Sequence, residues 1–382
     1  MAERVDTLVV GAGYAGAIVA ERLASQCGHS VLVVDRRDHV AGNAYDYLDK
    51  HGVRVHAYGP HIFHTNAQRV VEYLSGFTDW RPYEHRVLAK VDEQLLPMPI
   101  NRTTVNRLYG LDLSSDEEME SFYEERAVPV DQIRTSEDAV VSRVGHDLYE
   151  RFFRGYTRKQ WRRDPRELHA SVCARIPVRT NTDDRYFTDC HQAMPSDGYT
   201  AMFERILDHA RIEVRLGTDF EAVRDSVEHS HLVYTGQIDS FFDFRYGALP
   251  YRSLVWELRN EPTPDAELVQ PVASINFPSE EVPWTRITEF RHLTGQVHRS
   301  STLAVEFPAG DGHPYYPIPH DDTRALYKRY ETLAAELPAV TFVGRLARYQ
   351  YLNMDQVVAQ ALAAFDRLVR SGRVRTLAPS RE

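Results

Sequence analysis

The sequence predicts a mixed α/β chain: a parallel-sheet dinucleotide unit with α+β segments inserted into it. Three observations predict this. Thr7 to Arg37 reads TLVVGAGYAGAIVAERLASQCGHSVLVVDRR, an apolar run, a glycine turn, a stretch with small and apolar residues at helical spacing, and a second apolar run ending in an acid. The middle of the chain changes period, helical over 102–160 and strand-like over 250–309. Near the end, Thr341 to Val343, then Gly344-Arg345, then a helical pattern from about Asn353 restores the strand–loop–helix order.

The elements follow in turn. Leu8 to Val10 forms a strand that enters Gly11-Ala12-Gly13-Tyr14-Ala15-Gly16. Gly11 permits the tight turn, Gly13 lets a pyrophosphate approach the backbone, and Gly16 permits close helix packing. The helix N-terminus then faces the phosphates, and Asp35, closing the strand Val31 to Val34, can take a ribose hydroxyl. The competing reading is a glycine-rich turn in some other doubly wound sheet. Val53 to His56 alternates as a strand, and Val70, Val71 and Leu74 mark a helix. Arg86 to Val91 and Gln94 to Leu96 form a hairpin about Asp92-Glu93, stopped by Pro97 and Pro99. A small helical insert includes an amphipathic helix over Ala139 to Phe153, with Val140, Val144, Leu148 and Phe152 on one face. Residues 161–180 carry Arg162, Arg163, Arg166, Arg175 and Arg179, interrupted by Asp164-Pro165 and Ile176-Pro177. A helix over 199–209 and strands at Ile212 to Leu216 and Leu232 to Tyr234 follow. Further strands fall at Ser253 to Leu258, Ala273 to Phe277, Arg286 to Phe290 and Thr302 to Phe307. Helices over 323–337 and Met354 to Val369 complete the pattern, and the polar tail from Ser371 is expected to fray.

The chain has 382 residues and a net charge of -10, which argues against nucleic acid as a main partner while allowing a local basic pocket for an anionic small molecule. Cys27, Cys173 and Cys190 lack CxxC spacing and fit reduced thiols in the cytoplasm. No apolar run approaches the ~20 residues of a membrane span, and the N-terminus runs directly into a strand, so a soluble cytoplasmic protein is expected.

Candidate chemistry falls in three clusters. His61 and His64 bracket Ile62-Phe63 in a Gly-Pro-led loop. No third ligand lies at a metal-binding spacing, so they are read either as contacts to a cofactor or transition state or as structural loop histidines. Tyr156-Thr157-Arg158-Lys159-Gln160-Trp161, with Arg175 and Tyr186, can clamp a nucleotide diphosphate, the rings stacking on a base and the guanidiniums matching phosphoryl oxygens; an ordinary basic surface loop is the alternative. Asn276, Arg286, Tyr315-Tyr316, Arg345, Tyr349 and Tyr351 form the third, each of which taken alone reads as structural. No GxSxG nucleophile and no recognisable cysteine nucleophile stand out. The late strand–Gly-Arg–helix favours FAD over NAD by fold analogy alone.

The strings VVGAGYAGAIVAERLA, GNAYDY, YGPHIFHT, LLPMPIN, YTRKQW, ARIPVRTNTDDRYF, MPSDGYT and YLNMDQVVAQAL together resemble the bacterial UDP-galactopyranose mutases over nearly the whole chain. The resemblance implies a flavoenzyme that interconverts UDP-galactopyranose and UDP-galactofuranose. It implies FAD, active when reduced, whose N5 attacks the anomeric carbon with UDP as leaving group, and an external reductant such as NAD(P)H or a reductase. It implies a homodimer serving the galactofuranose of cell-surface glycans. It implies a discontinuous Rossmann-like FAD domain (1–76, 200–240 and 335–382), a helical domain (100–160) and an antiparallel sheet domain (77–99, 161–199 and 241–334) with a mobile loop at about 162–180.

Carried onto this chain, the resemblance assigns Arg175 and Arg286 to phosphate clamping and places His64 close to the isoalloxazine, with His85 in the neighbouring sugar-side region. It places Phe152, Tyr156, Thr157, Trp161, Tyr186 and Asn276 on the uridine side, Tyr156 stacking on uracil, and Tyr316 and Tyr351 on the diphosphate. Asp35, Arg36, Gly42, Asn43, His61, Gly344, Arg345, Leu352, Asn353 and Met354 join Gly11, Gly13 and Gly16 around FAD. Asn353 departs from the family, several of whose members have aspartate there, which argues against an obligatory acid or base at that position. An FAD-dependent oxidoreductase and a non-catalytic nucleotide-sugar-binding flavoprotein remain as the competing classes.

Overall fold

A computed structural model describes residues 3–310, 312–318 and 321–377. The expected fraying of the polar tail falls partly on 378–382, outside the described residues. A five-stranded parallel sheet forms one side of the molecule. Its spatial order is Ile212–Arg215, Val31–Val34, Glu3–Val10, Val227–Tyr234 and Val340–Phe342. The central strands are apolar because both faces are covered. Leu8, Val9, Leu32 and Val33 are fully buried. Helices Tyr14–Cys27 and Met354–Arg370 pack together on one face, where Ile18 and Leu23 share a core with Val358, Ala361 and Phe365. Phe220, Val223 and Phe241 cover part of the other face.

A seven-stranded sheet lies opposite, in the order Tyr316–Pro317, Tyr251–Pro262, Ser300–Ala309, Arg286–Glu289, Ser274–Asn276, Val87–Val91 and Gln94–Met98. It is not purely antiparallel. Ser274–Asn276 runs parallel to Val87–Val91, since the chain leaves after the hairpin and returns only after the helical segment and part of the first sheet. The hairpin turn is as expected at Asp92-Glu93, both in left-handed conformation, but its second strand runs on through Pro97 to Met98. A three-stranded patch, Phe63–Thr65, His191–Pro195 and Trp80–Pro82, bridges the two halves.

The amphipathic stretch at Ala139 to Phe153 is not one regular helix. Ser136–Leu148 is broken at Gly145 (φ 80°, ψ 177°), and Tyr149–Arg154 forms a wide π turn before the helix Gly155–Trp161. A Cβ at Gly145 would lie 2.3 Å from the Arg126 carbonyl oxygen, so only glycine lets the chain pass there. The apolar face survives the break: Val140, Val144, Leu148 and Phe152 are all buried. No helix among the described residues is long and apolar enough to cross a membrane.

Candidate functional site

A cavity of about 780 Å3 lies between the C-terminal ends of the parallel strands and the seven-stranded sheet, the place where open α/β sheets bind ligands. Every residue that the resemblance places at substrate, cofactor or catalysis lines it, except Gly16. Gly16 serves packing instead, because a Cβ there would stand 1.9 Å from the Gly11 carbonyl oxygen.

The cofactor end is a backbone cradle. Gly11 has φ 104°, and a Cβ would meet Thr235 Oγ1 at 2.0 Å. Gly42 crosses so close to Gly13 that a Cβ on it would come within 3.0 Å of the Gly13 Cα. The helix Tyr14–Cys27 starts without a side-chain cap, which leaves first-turn N–H groups for an anion. Asp35 does more than the motif suggests. Its Oδ2 accepts the Ala12 N–H at 2.8 Å and its Oδ1 the Arg37 N–H at 2.9 Å, which fixes the glycine turn. Each oxygen keeps a second lone pair for a hydroxyl. Arg37, which sequence reasoning passed over, donates to Asn43 Oδ1 at 2.9 Å and lies 4.2 Å from the Tyr58 ring centre. Gly344 N–H donates to Gln360 Oε1, and Asn353 N–H to Gln356 Oε1, so Gln356 caps the last helix. This donor set, glycine backbone plus an acid-anchored turn, fits the pyrophosphate and ribose of a dinucleotide.

The other end is cationic and aromatic. The Tyr316 and Tyr351 rings stack at 5.3 Å and 24°. The Arg175 guanidinium lies 4.7 Å and that of Arg345 4.9 Å from the Tyr351 ring centre. Burial would raise the Tyr351 phenol, but Arg175, Arg345 and Arg286 override it and draw it below its ordinary value. Arg286 donates to Glu306 Oε2 at 2.6 Å, and Thr285 Oγ1 donates to Oε1 of the same buried carboxylate at 2.9 Å. Arg286 Nε and Asn276 Oδ1 are buried without hydrogen-bond partners. Such groups carry a desolvation cost, which a polar ligand would relieve.

Between the two ends lie the histidines. His64 Nδ1 bonds Asp189 Oδ2 at 2.9 Å, and its ring stacks on Phe187 at 3.5 Å and 12°. Asn66 holds the second Asp189 oxygen. Neither Asp189 nor Phe187 was singled out, although Phe187 ends the string ARIPVRTNTDDRYF and Asp189 lies two residues beyond it. His61 Nδ1 bonds the Gly59 carbonyl. Among the described residues, no group of three or more His, Cys, Asp or Glu could hold a metal ion. Burial, helped by Arg286, pushes His85 down to about 3. Burial pushes His56 down to about 4, with Asp46 opposing. Both are neutral in the folded protein at pH 5 and above, while an unfolded histidine takes a proton near pH 6.5. The unfolded state therefore binds more protons in acid, and stability falls as pH drops below 6.5, levelling only below the folded values. Between pH 7.5 and 5.5 these two residues are expected to remove about 3 kcal/mol, measurable as a lower urea midpoint.

Not every candidate faces the cleft. In YTRKQW, Arg158 and Lys159 do not face the cleft: Arg158 pairs with Glu280 and Lys159 with backbone carbonyls. Of the arginines over 161–180, Arg175 lines the cavity, whereas Arg166 pairs with Glu137 and Arg179 is buried against the carbonyls of Asp183 and Arg185. Tyr349, from the third cluster, donates to the Pro250 carbonyl and is structural.

A family model described as UDP-galactopyranose mutase matches residues 151–351, and one for an NAD(P)-binding Rossmann-like domain matches 9–77. The chain is 40% identical over 371 residues to a probable UDP-galactopyranose mutase of Klebsiella pneumoniae, covering 96% of this chain and 95% of the relative. The chain belongs to the UDP-galactopyranose mutase family. Within the mutase family, a dTDP-fucopyranose mutase of Escherichia coli is 36% identical, covering 93% of this chain and 96% of its own. The solved structure of a reduced UDP-galactopyranose mutase shares the fold, with a TM-score of 0.76 and 15% identity over 96% of this chain and 94% of that one. The mutase cleft thus has a glycine cradle at one end and an arginine–tyrosine cluster at the other.

Proposed function

We propose that this protein interconverts UDP-galactopyranose and UDP-galactofuranose with bound FAD in its reduced state. The observation that carries the reading is the convergence of Arg175, Arg286, Arg345 and the stacked Tyr316–Tyr351 pair on the same cavity as the Gly11/Gly13/Gly42 cradle. When bound, reduced FAD supplies the N5 nucleophile for the anomeric carbon, with UDP as leaving group. The chain's own residues do the rest. Arg175 and Arg286 hold the diphosphate and stabilise the charge it gains on leaving. Phe152, Tyr156, Thr157, Trp161, Tyr186 and Asn276 hold the nucleoside, so that UDP stays in place for the return step. Asp189 keeps the His64 ring in one orientation toward the cleft. A homodimer and an NAD(P)H-dependent or separate reductant complete the proposal.

Purified protein is expected to be yellow and to convert UDP-galactofuranose to UDP-galactopyranose only after reduction with dithionite, as read by chromatography of the sugar nucleotides. Inertness in both redox states would sink the proposal. Turnover of dTDP-fucopyranose in preference to the UDP sugar would instead move the assignment to the activity named for the Escherichia coli relative.

A further inference from the structure

The helix Gly155–Trp161 presents Tyr156, Thr157 and Trp161 to the cavity. Across from it, the strand pair Ser274–Asn276 and Arg286–Glu289 presents Asn276 and Arg286, which face each other in the ladder. The two elements are far apart in sequence, yet they hold the two sides of the nucleotide half. What joins them is Lys159.

Its Nζ lies 2.6 Å from the Phe277 carbonyl oxygen, 2.6 Å from that of Ser279, 3.1 Å from Val282 and 2.8 Å from Trp284. These four carbonyls belong to the loop that closes the Asn276/Arg286 strand pair, so that loop is folded around one ammonium. An ammonium has three protons, so at least one is shared between two carbonyls. Burial lowers the Lys159 ammonium to about 8, with Glu280 pulling the other way, which leaves it charged at neutral pH. Two further contacts pin the same seam. A Cβ on Gly155 would lie 2.4 Å from the Pro278 carbonyl oxygen, so the helix start touches the loop backbone directly. Farther out, Arg158 donates to Glu280 Oε2 at 3.2 Å. The loop also ends where the buried, unpartnered Asn276 Oδ1 and Arg286 Nε stand.

We propose that Lys159 is a positioning residue: by gathering the 277–284 carbonyls it sets the spacing between the helix bearing Tyr156, Thr157 and Trp161 and the strands bearing Asn276 and Arg286, and so tunes nucleoside diphosphate affinity without touching the ligand. The identity of that ligand rests on the function proposed above.

The test titrates UDP into oxidised holoenzyme, where no turnover occurs, and follows the flavin absorbance. Lys159→Met is expected to keep its FAD and a melting temperature near that of the parent, but to bind UDP roughly ten- to a hundred-fold more weakly. Amide exchange should quicken in 277–285 and not in the parallel sheet. Lys159→Arg, which still offers several donors, should recover much of the affinity. UDP binding within two-fold of the parent in Lys159→Met would overturn the proposal. So would a loss of affinity matched by loss of FAD and of overall exchange protection, which marks a general structural role. Should Lys159→Met yield no soluble flavoprotein, Arg158→Ala decides: a few-fold weaker UDP binding supports the seam, and an unchanged Kd overturns it. Failure of the parent protein itself to bind UDP would overturn the nucleotide reading, and is distinguished by occurring before any variant is compared.

Discussion

Arg286→Ala is expected to lower turnover roughly a hundred- to a thousand-fold at saturating sugar nucleotide, with the flavin still bound. The guanidinium sits in the cavity wall, one nitrogen on buried Glu306 and Nε without a partner. A charge held in a desolvated cleft interacts far more strongly with a leaving diphosphate than it would in water. The alanine variant also strands the Glu306 carboxylate, leaving Thr285 as its side-chain partner among the described residues, and breaking a buried pair costs about 3–5 kcal/mol. Arg286→Lys separates the two effects: it keeps the charge for Glu306 but loses the planar fork, so stability should recover more than turnover. Arg175→Ala is expected to act on turnover with a smaller loss of stability, because Arg175 rests on the Tyr351 ring rather than on a buried acid. Steady-state rates on dithionite-reduced protein, with flavin content read by absorbance, check both. Near-normal rates in both variants would remove the clamp from the mechanism.

Gly16→Val is expected to abolish cofactor loading. Its first added carbon would fall 1.9 Å from the Gly11 carbonyl oxygen and 3.1 Å from Val9 Cγ1, where the helix presses on the strand. The obstacle at the shortest contact is backbone, which cannot rotate aside. The helix must lift from the sheet, at about 3 kcal/mol or more, and the turn that approaches the cofactor moves with it. The readout is the flavin content of purified protein alongside its melting temperature. A variant that is fully yellow and melts near the parent would show that the helix has more room than its contacts imply.

The parts of the fold that rest on short-range rules were legible in the sequence. The Gly11 turn, the helix behind it, the Asp92-Glu93 hairpin and the late strand at Val340–Phe342 each announce themselves by residues a few positions apart. Gly145 was visible too, yet the apolar spacing on either side of it masked the break. The cleft is different. Nothing local places Arg175 beside Tyr351, or pairs Ser274–Asn276 with Val87–Val91. Those neighbours are set by long-range sheet pairing, and for Arg175 and Tyr351 likeness to a family alone grouped them. Even that likeness passed over Arg37 and Glu306, which line the cavity, and Asp189, which does not. Asp189, Glu306 and Arg37 act by holding another side chain, and such a role has no spacing of its own. The cations of YTRKQW misled for a related reason: charge in sequence says that a partner exists, not whether it is a ligand or a carbonyl of the same chain.

The parallel sheet sets Val227–Tyr234 between Glu3–Val10 and Val340–Phe342, and Met354–Arg370 lies on Tyr14–Cys27. On the ribosome this reverses the usual sequence of events. The glycine turn emerges well before the helix that shields part of its apolar back, which is not complete until translation has passed residue 370. The apolar face that Met354–Arg370 covers thus waits for a segment more than 300 residues further on, a condition that invites chaperone binding. Capture of the cofactor is correspondingly a post-translational event, and pulse-labelled nascent chains stalled before Met354 should carry none.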